Sequence, residues 1–402
     1  MIAFGVLSTY PPTRCGIATF SAALVRHLNA PGARSSAAVV RIGDDVLSGP
    51  TPPEVVAEVA NGSRGGPAAA AAALNRFDVA IVQHEYGIYG GPDGEEVLAV
   101  LDQVRVPVVA VLHTVLATPT IWQRGVLSRI CHAADAIVVP SQTAASRLLQ
   151  VYGVDSRRIT VIPHGAETEI GLVERNRKRP RQGQSPLLLT WGLLGPGKGV
   201  EWVIDALAAG LGDLPMPPRY LVAGQTHPKV HDRQGESYRT ALRERAEALG
   251  VGHLVEFDPS YRSRQNLAAL TASADAVILP YDSTEQVVSG VLTEAVAARR
   301  PVIATRFPHA AELLADGAGL LVPHRDPRAL GVAIRRVLTE PGLAESMTWR
   351  AGVIAPTLDW EAVADRYRML ATRLTAGRAP RAAQPGPVGH GRPRIGRRTR
   401  VG

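Results

Sequence analysis

The sequence predicts an α/β protein built of two Rossmann-like domains, each a parallel sheet covered by helices on both faces. Three observations carry that expectation. Short β-branched apolar runs alternate with stretches of helical period along both halves of the chain. The alternation stops at a polar, basic stretch and restarts beyond it. The length, 402 residues, is too great for one hydrophobic core and ample for two.

In the first half the strand candidates are 2–7, 37–42, 78–82, 107–112, 136–139 and 159–162, with helical patterns at 17–29, 66–76, 95–103, 119–133 and 142–151. In the second half strands are expected at 187–191, 219–223, 254–257, 275–279, 301–304 and 319–322. Helices are expected there at 199–209, 236–249, 263–272, 289–299 and 326–338. Continuous apolar strands separated by helices are the pattern of parallel sheets buried on both faces. The domains so predicted are 1–170, a basic linker 171–186, a second domain 187–355, and a C-terminal helix within 356–376 that returns to the first domain. That helix carries Trp360, Val363, Tyr367, Leu370 and Leu374 at helical spacing. Residues 377–402, rich in Arg, Pro and Gly, are expected to be disordered.

Composition narrows the function. The net charge of +8 is local: the tail 376–402 holds seven Arg and no acid and the segment 174–184 is net +4, which leaves the remainder at −3. A body without net positive charge argues against nucleic acid as a partner; weak contact with an anionic membrane through linker and tail stays open. The two cysteines, Cys15 and Cys131, make no disulfide framework and fit a reducing cytoplasm. No apolar run is long enough to span a bilayer, and Met1 to Leu7 reads as a first strand, not a signal peptide. The expected location is cytoplasmic, with the inner membrane surface as a peripheral site.

Ligands of open parallel sheets bind beyond the carboxyl ends of the strands, so the polar and glycine residues there are the site candidates. Trp191-Gly192-Leu193-Leu194-Gly195-Pro196-Gly197-Lys198-Gly199 follows a strand and opens a helix; its glycines permit close backbone approach and Lys198 puts a cation where a diphosphate would lie. It lacks the Walker spacing, and the alternative is a tight turn with a solvated lysine. After the strand 275–279, Ser289 can cap a helix whose free amides, from Gly290 through Val291 to Leu292, suit a phosphate or sugar hydroxyl. Glu294 lies further along that helix, suited to ribose hydroxyls or else an ordinary surface glutamate. Gly16, in the loop Pro11–Phe20, admits backbone amides to a donor phosphate or an acceptor, or simply makes a turn. Gln83-His84-Glu85-Tyr86-Gly87 and His113-Thr114 each end a buried strand; His113 either reaches a transferred sugar or is structural. His84 and Glu85 have no third ligand at useful spacing, so no metal is expected.

Taken in order, these elements resemble the retaining, nucleotide-sugar-dependent glycosyltransferases of family 4, which have the GT-B fold. The matching residues are Arg14-Cys15-Gly16-Ile17-Ala18-Thr19-Phe20, His84-Glu85-Tyr86-Gly87, His113-Thr114, Val161-Ile162-Pro163-His164-Gly165, Gly192 to Gly199, and Thr293-Glu294-Ala295-Val296-Ala297 leading to Pro301-Val302-Ile303-Ala304-Thr305. The resemblance covers roughly residues 1–375. It implies two domains facing across a cleft, donor nucleotide mainly on the second and acceptor mainly on the first. On the donor side it implies Gly16, Gly192, Gly197, Lys198, Arg262, Gln286, Val288, Ser289, Gly290, Val291 and Glu294, and on the acceptor side Arg14, His84, Glu85 and Tyr86. His113, Lys198 and Glu294 carry the chemistry.

Two positions depart from the family pattern. Where members usually carry Arg after the first glycine of the loop, this chain has Leu193, for which Arg262 is the candidate substitute. Where they carry a glutamate eight residues before Glu294, it has Gln286, beside Glu285. The implied activity is transfer of a hexose of mannose or glucose type from a GDP- or UDP-linked donor to a glycan, lipid or small-molecule acceptor. Lys198 and the Ser289 helix end stabilise the leaving diphosphate, and neither a cofactor nor a metal is required. The rival functions are a nucleotide-sugar-binding scaffold without turnover and a GT-B-fold nucleotide-sugar epimerase.

Overall fold

The computed structural model describes residues 1–47, 49–167, 185–211 and 214–376; most of the basic linker and the whole Arg-rich tail lie outside these. The first half runs β1 (Ile2–Ser8), α1 (Gly16–Leu28), β2 (Ser35–Gly43), β3 (Val55–Ala60), α2 (Gly66–Leu74), β4 (Val79–His84), α3 (Glu96–Leu101), β5 (Val108–Leu112), α4 (Ile121–Ala133), β6 (Ala136–Val139), α5 (Gln142–Tyr152) and β7 (Ile159–Val161). The second runs β8 (Leu187–Trp191), α6 (Val200–Ala206), β9 (Arg219–Ala223), α7 (Pro228–Gln234), α8 (Ser237–Ala248), β10 (Val255–Asp258), α9 (Arg264–Ser273), β11 (Ala276–Leu279), α10 (Gly290–Ala297), β12 (Val302–Thr305), α11 (Pro308–Leu313), β13 (Gly319–Val322), α12 (Pro327–Thr339), α13 (Leu343–Leu358) and α14 (Trp360–Thr375).

All pairings are parallel. The first sheet has the order β3-β2-β1-β4-β5-β6-β7 and the second β10-β9-β8-β11-β12-β13. In both, the direction of winding reverses beside the first strand, between β1 and β4 and between β8 and β11. Those are the switch points where the loops leaving adjacent strands part and open a crevice. The two domains are the GT-B architecture. β3 is a finding beyond the sequence pattern: Val55–Ala60 is a half-buried edge strand interrupted by Glu58, so it shows no continuous apolar run.

Each sheet is covered on both faces. In the first domain one face packs Leu7, Val40, Leu74, Val82 and Leu112, and the other packs Phe4, Val6, Leu24, Leu28 and Ile81. α14 belongs to the latter face: Trp360, Val363, Tyr367 and Leu370 pack with Phe20 and Leu24, so the chain's last described helix covers the first domain. Trp360 seats on Gly165, where an added Cβ would lie 2.3 Å from its ring. No helix among the described residues is long and apolar enough to cross a membrane.

Candidate active site

The loop after β8 is shaped by glycine. Gly192, Gly197 and Gly199 all take positive φ (118°, 87° and 67°). At Gly199 a Cβ would lie 1.8 Å from the Pro280 carbonyl oxygen at the end of β11, so the backbone itself fills that space. Gly199→Ala combines a left-handed backbone with that overlap, and we expect it to lower the melting temperature by about 10 °C. Unchanged thermal unfolding of the purified variant would refute the close approach. The neighbouring loop is locked to this one: Leu194 N donates to Gln225 O and His227 N to Leu194 O, both at 2.8 Å.

Lys198 emerges from this turn with Nζ 4.3 Å from the Tyr281 ring centroid. It is half-buried, and among the described residues no carboxylate comes within ion-pair distance. Asp282, the nearest acid in sequence on the facing loop, is spent on Trp202 Nε1 (2.8 Å) and Arg325 (3.3 Å). Loss of water without a counter-charge pushes the Lys198 pKa down.

Across from it begins α10. Ser289 is its N-cap, with Oγ accepting from Leu292 N at 3.2 Å. The Gly290 and Val291 amides, at the first two helical positions, have no acceptor among the described residues. A Cβ on Gly192 would lie 3.5 Å from the Val291 side chain, so this helix end faces the glycine loop. Ser289 N donates to His309 Nδ1 at 3.0 Å and His309 N donates to Gln286 O at 3.1 Å, which fixes the loop from below. Burial pushes His309 down to about 3, so it remains the neutral acceptor that this bond requires. Gln286 turns its amide nitrogen onto Val288 O at 2.9 Å. Among the described residues Glu294 accepts only from Trp191 Nε1, at 3.3 Å, and burial pushes its carboxyl up to about 7.

Of the first domain's histidines, His164 meets this group directly. His113 Nε2 lies 2.7 Å from Gln83 Oε1, and the His113 ring stands edge-on to Phe20, centroids 4.8 Å apart. His164 holds Gly165 O at 2.7 Å from Nδ1 and presents Nε2 to the start of α10, 3.0 Å from where a Cβ on Gly290 would stand. Desolvation leads the causes that lower His113 to about 3 and His164 and His84 to about 4, so all three are neutral. Gly16 opens α1, and a Cβ there would meet nothing within 4 Å beyond its chain neighbours and its own helix backbone.

The structure also places the other expected residues. Arg14 reaches the second domain, donating to Gln225 Oε1 at 3.0 Å and lying 5.5 Å from the Tyr261 ring centroid, so it is not a purely acceptor-side group. Arg262 is ion-paired with Asp258 and is not the free cation that would replace an arginine at 193. His84 is fully enclosed, neither ring nitrogen having a partner among the described residues, and packs edge-on to Tyr86. Glu85 folds back to accept from Gly87 N at 2.8 Å, and Tyr86 Oη points to Gln123 O at 3.5 Å. The sequence pattern missed His309 and the bridges that join the domains. Glu285 Oε2 accepts from Ala117 N and from Arg147, both at 2.9 Å. Glu312 caps α5, accepting from Gln142 N at 2.7 Å and Thr143 N at 2.9 Å.

The family description Glycosyltransferase Family 4 matches residues 15–170, and Glycosyl transferases group 1 matches residues 185–340. The two matches together take in most of both domains. The chain belongs to the family 4, group 1 glycosyltransferases. Among curated relatives of this family-4 chain, a D-inositol 3-phosphate glycosyltransferase of Kineococcus radiotolerans is 27% identical over 275 residues, 64% of this chain and 61% of the relative. One of the same description from Acidothermus cellulolyticus is 33% identical over 259 residues, 61% of this chain and 55% of the relative. The match thus spans less than two thirds of the length of either. Among solved structures, HepE of Anabaena in complex with UDP superposes with a TM-score of 0.71 at 18% identity, over 93% of this chain and 100% of that one. The fold is therefore shared across most of the length.

Proposed function

We propose that this family-4 chain is a retaining glycosyltransferase that moves a hexose of mannose or glucose type from a UDP- or GDP-linked donor onto an acceptor hydroxyl. One observation carries the proposal: Lys198, a half-buried cation with no carboxylate partner among the described residues, lies on the glycine loop that faces the unpaired Gly290 and Val291 amides. An uncompensated cation opposite a helix N-terminus is a binding arrangement for an anion whose charge grows during reaction. UDP bound to a structural neighbour supports a nucleoside diphosphate as that anion, and the relatives' name supports a small phosphorylated polyol as one acceptor class.

In this mechanism the anomeric carbon–oxygen bond of the donor breaks as the acceptor oxygen bonds to the same face of that carbon. The acceptor's proton passes to the departing phosphate oxygen, so atoms and charge balance with no protein nucleophile and no metal. Lys198 and the two amides hold the growing charge. Glu294, in its ionised form, accepts from the ribose hydroxyls. With Gln83 Oε1 accepting, His113 carries its proton on Nε2 and leaves Nδ1 as an acceptor for a hydroxyl of the transferred sugar. Water must be kept out because hydrolysis competes with transfer, and the Glu285 and Glu312 bridges hold the domains together around the cleft.

The test is a panel of UDP-, GDP- and ADP-sugars with an acceptor extract and with inositol phosphates, following nucleotide release and sugar incorporation. Acceptor-dependent release with one donor, and product of unchanged anomeric configuration, is the expected result. Nucleotide binding without turnover would favour a scaffold; absence of both would overturn the donor site.

A further inference from the structure

The donor site described above is short of charge. A diphosphate ester is multiply charged and gains charge as it leaves, whereas the glycine loop supplies one ammonium, Lys198, and an uncharged Leu193. The other cations near the cleft are mostly committed: Arg262 to Asp258, Arg147 to Glu285, and the buried Arg239 to Glu236. Lys229 differs. It sits at the start of α7, on the loop after β9, the strand next to β8. Its Nζ crosses to the first domain and, among the described residues, its hydrogen-bond partner is neutral, the Gly87 carbonyl at 3.1 Å.

That loop is rigidly tied to the glycine loop through Leu194, Gln225 and His227, and a Cβ on Gly195 would lie 3.2 Å from the Val230 side chain. His227 Nδ1 accepts from Lys229 N at 3.2 Å, which places the proton of the neutral ring on Nε2. The His227 pKa is lowered by burial first and then by the charges of Lys229 and Lys198, so both lysines act on one ring. Among the described residues none of Lys198, His227 and Lys229 is ion-paired to an acid.

We infer that Lys229, with the Nε2–H of His227, completes the diphosphate-binding group and supplies the charge that Leu193 does not. The inference rests on the donor-site reading above, and its test separates the two. The full chain is titrated calorimetrically with UDP, GDP, UMP and GMP. Lys229→Met is expected to weaken the favoured diphosphate about tenfold, leave the monophosphate within about twofold, and keep the wild-type melting temperature, since Lys229 is exposed. Adding Leu193→Arg to Lys229→Met is expected to recover most of the lost affinity. Wild-type binding with an unaffected Lys229→Met variant would leave the lysine as a domain-bridging contact only and sink the inference alone. Equal losses for mono- and diphosphates would sink it too. A wild-type chain that binds no nucleotide overturns the donor site and the inference together.

Discussion

Lys198→Ala is expected to lower kcat/KM for the sugar donor by about 10²- to 10³-fold while the protein melts at the same temperature or slightly higher. The two halves of this result come from one fact. Lys198 is held half out of water with no acid to balance it, against only the face of Tyr281. In the resting protein that arrangement is a cost: the folded pKa is below 10.5, so the folded state disfavours the proton that the unfolded chain holds. The sign follows. The cost is complete at neutral pH, where both states are charged, and fades only as pH rises toward 10.5. Removing the amine therefore gains stability at pH 7 and gains little at high pH. With a diphosphate in the cleft the same charge is paired, and its value is realised as negative charge develops on the leaving group. Steady-state kinetics beside thermal unfolding checks both halves. A variant that kept its rate would displace Lys198 from the reaction, and one that kept neither rate nor fold would make it a structural lysine.

The second large effect is at Glu294. Glu294→Gln should reduce donor kcat/KM about 100-fold, the loss of charge-assisted hydrogen bonds to hydroxyls in a desolvated site. Its wild-type carboxyl is raised from 4.5 to about 7 by burial, against the small opposing effect of the Trp191 indole. Between those values the folded state holds a proton that the unfolded state has released. Stability therefore falls as pH climbs from 4.5 to 7 and stays at the lower level above. The glutamine variant escapes that penalty, so it should gain melting temperature over wild type at pH 8 and none at pH 4. Donor binding runs the other way. Ribose hydroxyls donate best to a carboxylate, so the donor KM of the wild type should improve as pH passes through about 7, and that dependence should vanish in the variant. A variant equally sensitive to pH would assign the titration to another group.

Much of the architecture was legible because it depends on local period. The continuous apolar runs of β1, β4, β8 and β11 and the Ser289 cap announce themselves within a few residues. The elements that escaped lack such a signal. β3 is broken by Glu58. α7 and α11 are short, opening on Pro228 and Pro308, which mark a turn as readily as a first helical residue. α13 carries Pro356 inside it. Those helices bear on the proposed site: α7 carries Lys229, and α11 brings His309 under Ser289 and Glu312 onto α5.

The sequence by itself determined two parallel α/β domains, the glycine loop, the capped helix after β11 and the family to which they belong, because these follow from backbone period and from glycine's freedom to take positive φ. Only the tertiary structure decided which charges are free to act. Arg14 and Arg262 look like available cations in the chain, yet one crosses to Gln225 and the other is taken by Asp258. Arg147 meets the backbone of Glu285 from 138 positions away. Lys198 is left, among the described residues, with the aromatic face of Tyr281 and no acid. The physical reason is range. Secondary structure is set by neighbours along the chain, while a charge is neutralised by whatever the fold places within a few ångströms of it.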